Sequence, residues 1–115
     1  MLIPRQQRLS IEKLIELILN EKNLGDEQFC IYTKNSEVIM SRSLVVYIDN
    51  YPEEDADGDD LFSDFVVSNE LELYYYGDQF IDVVNNAIHQ KPDVTIDQII
   101  EAGNFYLEND NFITF

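Results

Sequence analysis

The sequence predicts an α+β domain: an N-terminal helix, a small, mostly antiparallel β-sheet, and two C-terminal helices packed on it. Three observations predict this. An apolar period of 3.6 residues opens the chain, β-branched and aromatic segments fill the middle, and two further helical periods with start signals close it. At 115 residues, with 45% apolar and 26% charged side chains, the chain can bury one core and is too short for two. Residues 1–115 therefore read as a single domain.

The first helix runs from Leu9 to about Asn23. Ile11, Leu14, Ile15, Ile18 and Leu19 fall on one face, with Glu12, Lys13 and Glu16 off it. Ser10 is placed to cap it, Leu9 and Leu14 to staple its entry, and Gly25 follows its end. From Gln28 the pattern turns to strands: QFCIYT, then EVIM, then SLVVYID. LVVYI is a continuous apolar run, which suits a central strand covered on both faces. LFSDFVVS fits either a strand or a helix. ELELYYY alternates, with Leu71, Leu73 and Tyr75 on one face and Glu70, Glu72, Tyr74 and Tyr76 on the other, as in an antiparallel sheet with one wet face.

Gly77 and Asp78 open the second helix, whose apolar face is Phe80, Ile81, Val84, Ala87 and Ile88, and Lys91-Pro92 closes it. Thr95 and Gln98 have the spacing of a capping box for the third. Its buried stripe is Ile96, Ile99, Gly103, Tyr106 and Leu107, and Gly103 implies close approach of a neighbouring backbone. The closing NFITF is too apolar for a free tail and is expected to pack on the body.

The formal charge of −16 is unevenly spread. Residues 1–48 carry six bases and six acids; residues 49–115 carry seventeen acids against Lys91 alone. Such a field disfavours direct nucleic-acid binding, which relies on Lys and Arg to neutralise phosphates, and disfavours anionic membranes likewise. It favours a basic partner. Cys30 is the only cysteine, so no internal disulfide can form, and its apolar neighbours Phe29 and Ile31 suggest a buried strand thiol. MLIPRQQR lacks the apolar core of a signal peptide, and LIELILN is short and carries Glu16; the cytoplasm is the expected address.

Residues 49–64, DNYPEEDADGDDLFSD, invite a metal-site reading. Glu53, Asp55, Asp57 and Gly58 match positions 1, 3, 5 and 6 of a calcium-binding EF-hand loop. Position 8 is Asp60 where an apolar residue belongs, position 12 is Asp64, one methylene short of Glu, and a strand precedes the loop where a helix should. No structural metal is expected, and Gly58 reads as a turn residue. Catalytic signals are weaker still. His89 is the only histidine and sits near a helix end, the four glycines form no phosphate loop, and some carboxylate pair will always be close among twenty-three acids. The chain reads as a non-enzyme without a cofactor.

Tyrosine beside carboxylate is more informative. Tyr51 lies in the acidic stretch, and Tyr74 and Tyr76 alternate with Glu70 and Glu72. Rings supply area and cation-π attraction for Lys and Arg, and carboxylates supply bidentate hydrogen bonds.

In the C-terminal third, NNAIHQKPDVTIDQIIEAGNFYLENDNFI resembles the closing segment of small acidic immunity proteins from contact-dependent growth inhibition and related bacterial toxin systems. The likeness lies at Asn86-Ala87, Lys91-Pro92, Ala102, Phe105-Tyr106, Asn109-Asp110 and Phe112-Ile113; in the first half only VVYID and its acidic turn are similar. It implies a cytoplasmic protein that neutralises a cognate basic toxin domain, such as an RNase, tRNase or DNase, in a 1:1 complex. The expected contact surface is Asp49, Tyr51, Glu53, Glu54, Asp55, Asp57, Asp59, Asp60 and Asp64, with Glu70, Glu72, Tyr74 and Tyr76 on the adjoining strand. Two other readings stand beside it: an acidic nucleic-acid mimic acting on a restriction or defence nuclease, and a weak binder of divalent metal.

Overall fold

The computed structural model describes residues 3–20 and 28–115. It is an α+β fold. A four-stranded, wholly antiparallel sheet is formed by β1 (Gln7–Ser10), β2 (Cys30–Thr33), β3 (Val45–Asp49) and β6 (Glu72–Tyr76), in the order β1-β3-β2-β6. A separate two-stranded ribbon pairs β4 (Glu53–Glu54) with β5 (Asp60–Leu61). The helices are α1 (Ile11–Asn20), α2 (Asp64–Ser68), α3 (Gly77–Gln90) and α4 (Ile96–Asn109). Among the described residues no helix is long and apolar enough to cross a membrane.

The sheet is covered on both faces, by layers of very different size. Ile31, Val46, Ile48 and Tyr75 face a large core completed by Ile11, Leu14 and Ile15 of α1, Phe80 and Val84 of α3, and Ile99 and Ala102 of α4. Each fully buried Val, Leu, Ile or Phe among them contributes about 1.5–3 kcal/mol. The opposite face carries Cys30, Tyr32 and Leu71, closed over by Val66 of α2 with Phe62, Phe65, Tyr47 and Leu73 at its margin. One wet face was the expectation from ELELYYY. The segment that reads as either strand or helix in sequence supplies the missing cover, because Ser63 caps Asp64–Ser68 by accepting the Val66 N–H.

A β-bulge sets the faces of β6. Tyr32 pairs with Leu73 and Ile31 with Tyr75, so Tyr74 is an extra residue without a partner across the ladder. Tyr74 and Tyr75 consequently both enter the large core, while Tyr76, opposite Cys30, returns to the other face. The strict alternation expected for this strand therefore fails at Tyr74.

The caps mostly follow the sequence. Ser10 Oγ accepts from Lys13 N at 3.1 Å, and Thr95 with Gln98 completes a reciprocal capping box. Leu9 lies in β1, a strand the helical period had absorbed; the expected helix end near Asn23 and Gly25 falls outside the described residues. EVIM is no strand. The amide of Asn104 instead brackets Met40, accepting its N–H at 2.8 Å and donating to its carbonyl at 3.1 Å. Of the α4 stripe, Leu107 is exposed and Ile100 takes its place inside. The C-terminal residues do pack back: Gln90 donates to Ile113 O and accepts from Phe115 N, and Tyr106 meets Phe112 with ring centroids 5.4 Å apart.

Among the described residues the tightest glycine is Gly77. A Cβ there would lie 2.6 Å from three atoms of the Phe29 ring, which is wholly buried, whereas at Gly103 the nearest atoms are the movable Met40 thioether and Phe80 edge at 3.3 Å. Gly77→Ala is expected to cost about 1–3 kcal/mol by overpacking, read from the urea midpoint; an unchanged midpoint would show that Phe29 can yield.

Four buried acids of high pKa set an alkaline limit. Burial pushes the Cys30 thiol from 9.0 up to about 11 and the Tyr74 phenol from 10.0 up to about 12, and raises Tyr32 and Tyr75 further above the same 10.0. The folded state thus holds protons that the unfolded chain releases from the ordinary thiol and phenol values upward. Their contribution to stability is complete below pH 9.0 and is lost as pH rises through the folded values. The urea midpoint should fall steeply between pH 9.0 and about 12, and a flat profile over that range would contradict the burial of these groups.

Candidate functional site: an acidic arm beside a tyrosine pair

After β3 the chain leaves the sheet and makes the β4–β5 ribbon, with Glu53 opposite Leu61 and Glu54 opposite Asp60. Two residues per strand make a marginal ribbon in water, so the turn has to fix it. Asp55 does most of this: its Oδ1 accepts from Asp57 N at 2.9 Å and Asp59 N at 3.0 Å, and its backbone bonds Gly58 N and Asp59 O. Gly58 supplies the φ of +83° that the reversal needs.

Glu53, Glu54, Asp55, Asp57, Asp59 and Asp60 are all exposed on this arm. Among the described residues none of them forms an ion pair: Arg42 binds Glu12 and Asp97, and Lys91 binds Asp93. Oxygens of Asp55, Asp57 and Asp59 lie within 4.8 Å of one another. Like charges at that distance in water repel by about 1 kcal/mol per pair, a tolerable cost that salt reduces further. The EF-hand spacing does not become EF-hand geometry. Asp60 is used in the ladder, Asp64 stands in the first turn of α2, and strands flank the loop.

At the root of the arm, the rings of Tyr51 and Tyr76 stack with centroids 5.4 Å apart and planes 24° from parallel. They are 37% and 38% exposed, enough for a partner to reach them. The Tyr51 hydroxyl donates to Asp78 in the first turn of α3; burial, together with that bond, raises its pKa above the usual phenol value. Glu54 and Asp60 on the arm and Asp78 and Gln79 on α3 wall an open groove of about 380 Å³ over this pair. On the far side of Tyr51 a second recess of about 320 Å³ lies between Glu53, Leu61, Phe62 and Asp64.

Two residues of the expected surface are corrected. Asp49 is 1% exposed: its carboxylate accepts from Ser63 Oγ and from Asn50 N, tying β3 to the cap of α2. Tyr74 is also buried, because the bulge turns it inward, and its hydroxyl donates to Val38 O at 2.8 Å. Glu70 and Glu72 are exposed, but the strand does not carry them to the arm beside Tyr76. Glu72 accepts from Ser36 N at 2.7 Å, which lowers its pKa, and Glu70 sits at a left-handed turn with φ 53°. In sequence Asp78 marks only a helix start; an acid in a first turn two residues after an exposed tyrosine is the signal that it also faces the arm.

The fold and this arm define a small α+β domain that presents one acidic, tyrosine-bearing surface. The chain belongs to the DUF7716 family, described as a domain of unknown function, which matches residues 10–115. No curated protein and no solved structure matches it.

The Asp49–Ser63 bond anchors the arm, since it fixes both of its ends. Ser63→Ala leaves a buried carboxylate short of a donor and removes the α2 cap, for an expected loss of about 1–3 kcal/mol. The exposed Ser68→Ala should stay within about 0.5 kcal/mol of the parent. Equal urea midpoints for the two variants would refute the anchoring role.

Proposed function

We propose that this chain is a binding protein, not an enzyme, and that it neutralises a basic toxin domain as a cytoplasmic immunity protein in a 1:1 complex. One observation carries the reading: six exposed arm carboxylates without a basic partner among the described residues. The resemblance of the C-terminal third to immunity proteins supports it. A cationic nuclease cleft, lined with Lys and Arg for phosphate, is the complement to such an arm.

Physically, the arm serves encounter and the tyrosine root serves retention. Opposite fields raise association to about 10⁸ M⁻¹s⁻¹ or more at low salt, against about 10⁵–10⁶ without steering. Aromatic residues in a desolvated centre then slow dissociation. Speed matters for a protein that must intercept a toxin before it acts.

The test is co-expression with a basic toxin domain encoded immediately upstream, with growth as readout and stopped-flow association of the purified pair. Charge reversal at Glu54, Asp57 and Asp60 to Lys should leave circular dichroism unchanged, abolish growth rescue and slow association by about 10²-fold or more at low salt. Full rescue and an unchanged rate would remove the arm from the interface. Competition by added RNA or DNA for the same toxin site would identify cleft occlusion; indifference to it would place the contact beside the cleft.

A further inference from the structure

The groove over the stacked tyrosines is more specific than an acidic surface requires. Glu54 and Asp60 face each other directly across the β4–β5 ladder, an arrangement in which like charges destabilise a ribbon. Neither is paired with a base among the described residues. Asp78 completes the wall from a different element, and the floor is two tyrosine rings at 24° from parallel. The site thus has three carboxylates around a stacked aromatic pair, with a repulsion built into its rim that a cation would reverse.

We propose that this groove receives an arginine side chain of the protein partner, its guanidinium lying on the Tyr51–Tyr76 pair and its N–H groups directed at Glu54, Asp60 and Asp78. This rests on the reading of the chain as a binder of basic protein, and names the group recognised. A guanidinium fits better than an ammonium for a geometric reason. Its plane stacks on rings while its edge donates to several carboxylates at once, whereas an ammonium is a compact, strongly hydrated point charge. A bare divalent ion finds oxygens here but no use for the rings. Arginine also joins the two sides of the groove, linking the marginal ribbon to the rigid start of α3.

The experiment titrates the intact protein with capped tetra-arginine and tetra-lysine peptides at low ionic strength. Tyrosine fluorescence and backbone amide shifts are the readouts, and calcium alone is a third ligand. Tetra-arginine is expected to bind about 5-fold tighter than tetra-lysine, with the largest shifts at Tyr51, Tyr76 and Asp78. Tyr76→Leu should level the two peptides, while Tyr51→Phe, which keeps the ring and releases Asp78, should retain the preference. Asp57→Asn with Asp59→Asn at the arm tip should weaken both peptides equally and leave their ratio intact. Equal affinity of the two peptides in the parent overturns the groove assignment, as does a preference that survives Tyr76→Leu in a folded variant. Calcium at about 1 mM moving the same amides as far as tetra-arginine does would overturn it in favour of a metal ion. Equal peptide binding that still depends on the tip carboxylates would leave the acidic-arm reading standing without the groove; no binding of either peptide would remove both.

Discussion

One extra residue in β6 decides which side chains this surface offers. With Tyr74 unpaired in the ladder, two consecutive tyrosines point into the helix-backed core and the third crosses to the opposite face. There Tyr76 finds Tyr51, which has just left the neighbouring part of the sheet through Asp49 and Asn50. Without the bulge, strict alternation would place Tyr76 with Tyr74, and Tyr51 would have no ring to lie against. The same device brings α3 in directly behind Tyr76, where Gly77 accepts the Phe29 ring at van der Waals range and donates its N–H to Phe29 O at 2.8 Å. Asp78 is thereby delivered to the Tyr51 hydroxyl.

The acidic arm is possible because its repulsion is spread through water and its backbone is held at both ends. At its base the buried Asp49 is bonded by Ser63, and at its tip Asp55 spends one oxygen on two backbone N–H groups. Carboxylates thus play two roles within one short segment: Asp49 and Asp55 shape it, while Glu53, Glu54, Asp57, Asp59 and Asp60 give it charge. Two bases of the N-terminal half are engaged elsewhere. Arg42 joins α1 to α4 through Glu12 and Asp97, and Lys34 donates to Asn69 O while lying over the Tyr47 ring. Among the described residues, no base of the neutral half forms an ion pair with the arm, and its carboxylates stay exposed.

Much of this architecture is legible in the residues because the signals are local. Periodicity identifies α1, α3 and α4, the Thr95–Gln98 pair marks a helix start, and LVVYI lies as the interior strand β3, covered on both faces. What is hidden depends on pairing across the sheet. Gln7–Ser10 becomes a strand only because β3 is beside it, and EVIM fails to become one because Asn104 holds Met40's backbone groups. The site follows the same rule. The arm's exposed charge can be read from its composition, but the burial of Asp49 needs Ser63 fourteen residues away, and Tyr74 turns inward through a register shift that alternation cannot show. Asp78 escapes notice because its role in starting a helix is sufficient to explain it.

The two layers on the sheet give the molecule two doors of unequal weight. The smaller one, α2 with Phe62 and Val66, covers Cys30 and Tyr32 and carries the arm's anchor, and few buried side chains hold it shut. Local opening free energy scales with such buried contact, so of the two layers this one is expected to open at the lower cost. Cys30 sits directly beneath it with its thiol held protonated. It is a chemical clock already installed: a small alkylating reagent would reach the sulfur only when that door opens, so its rate of reaction would time the opening.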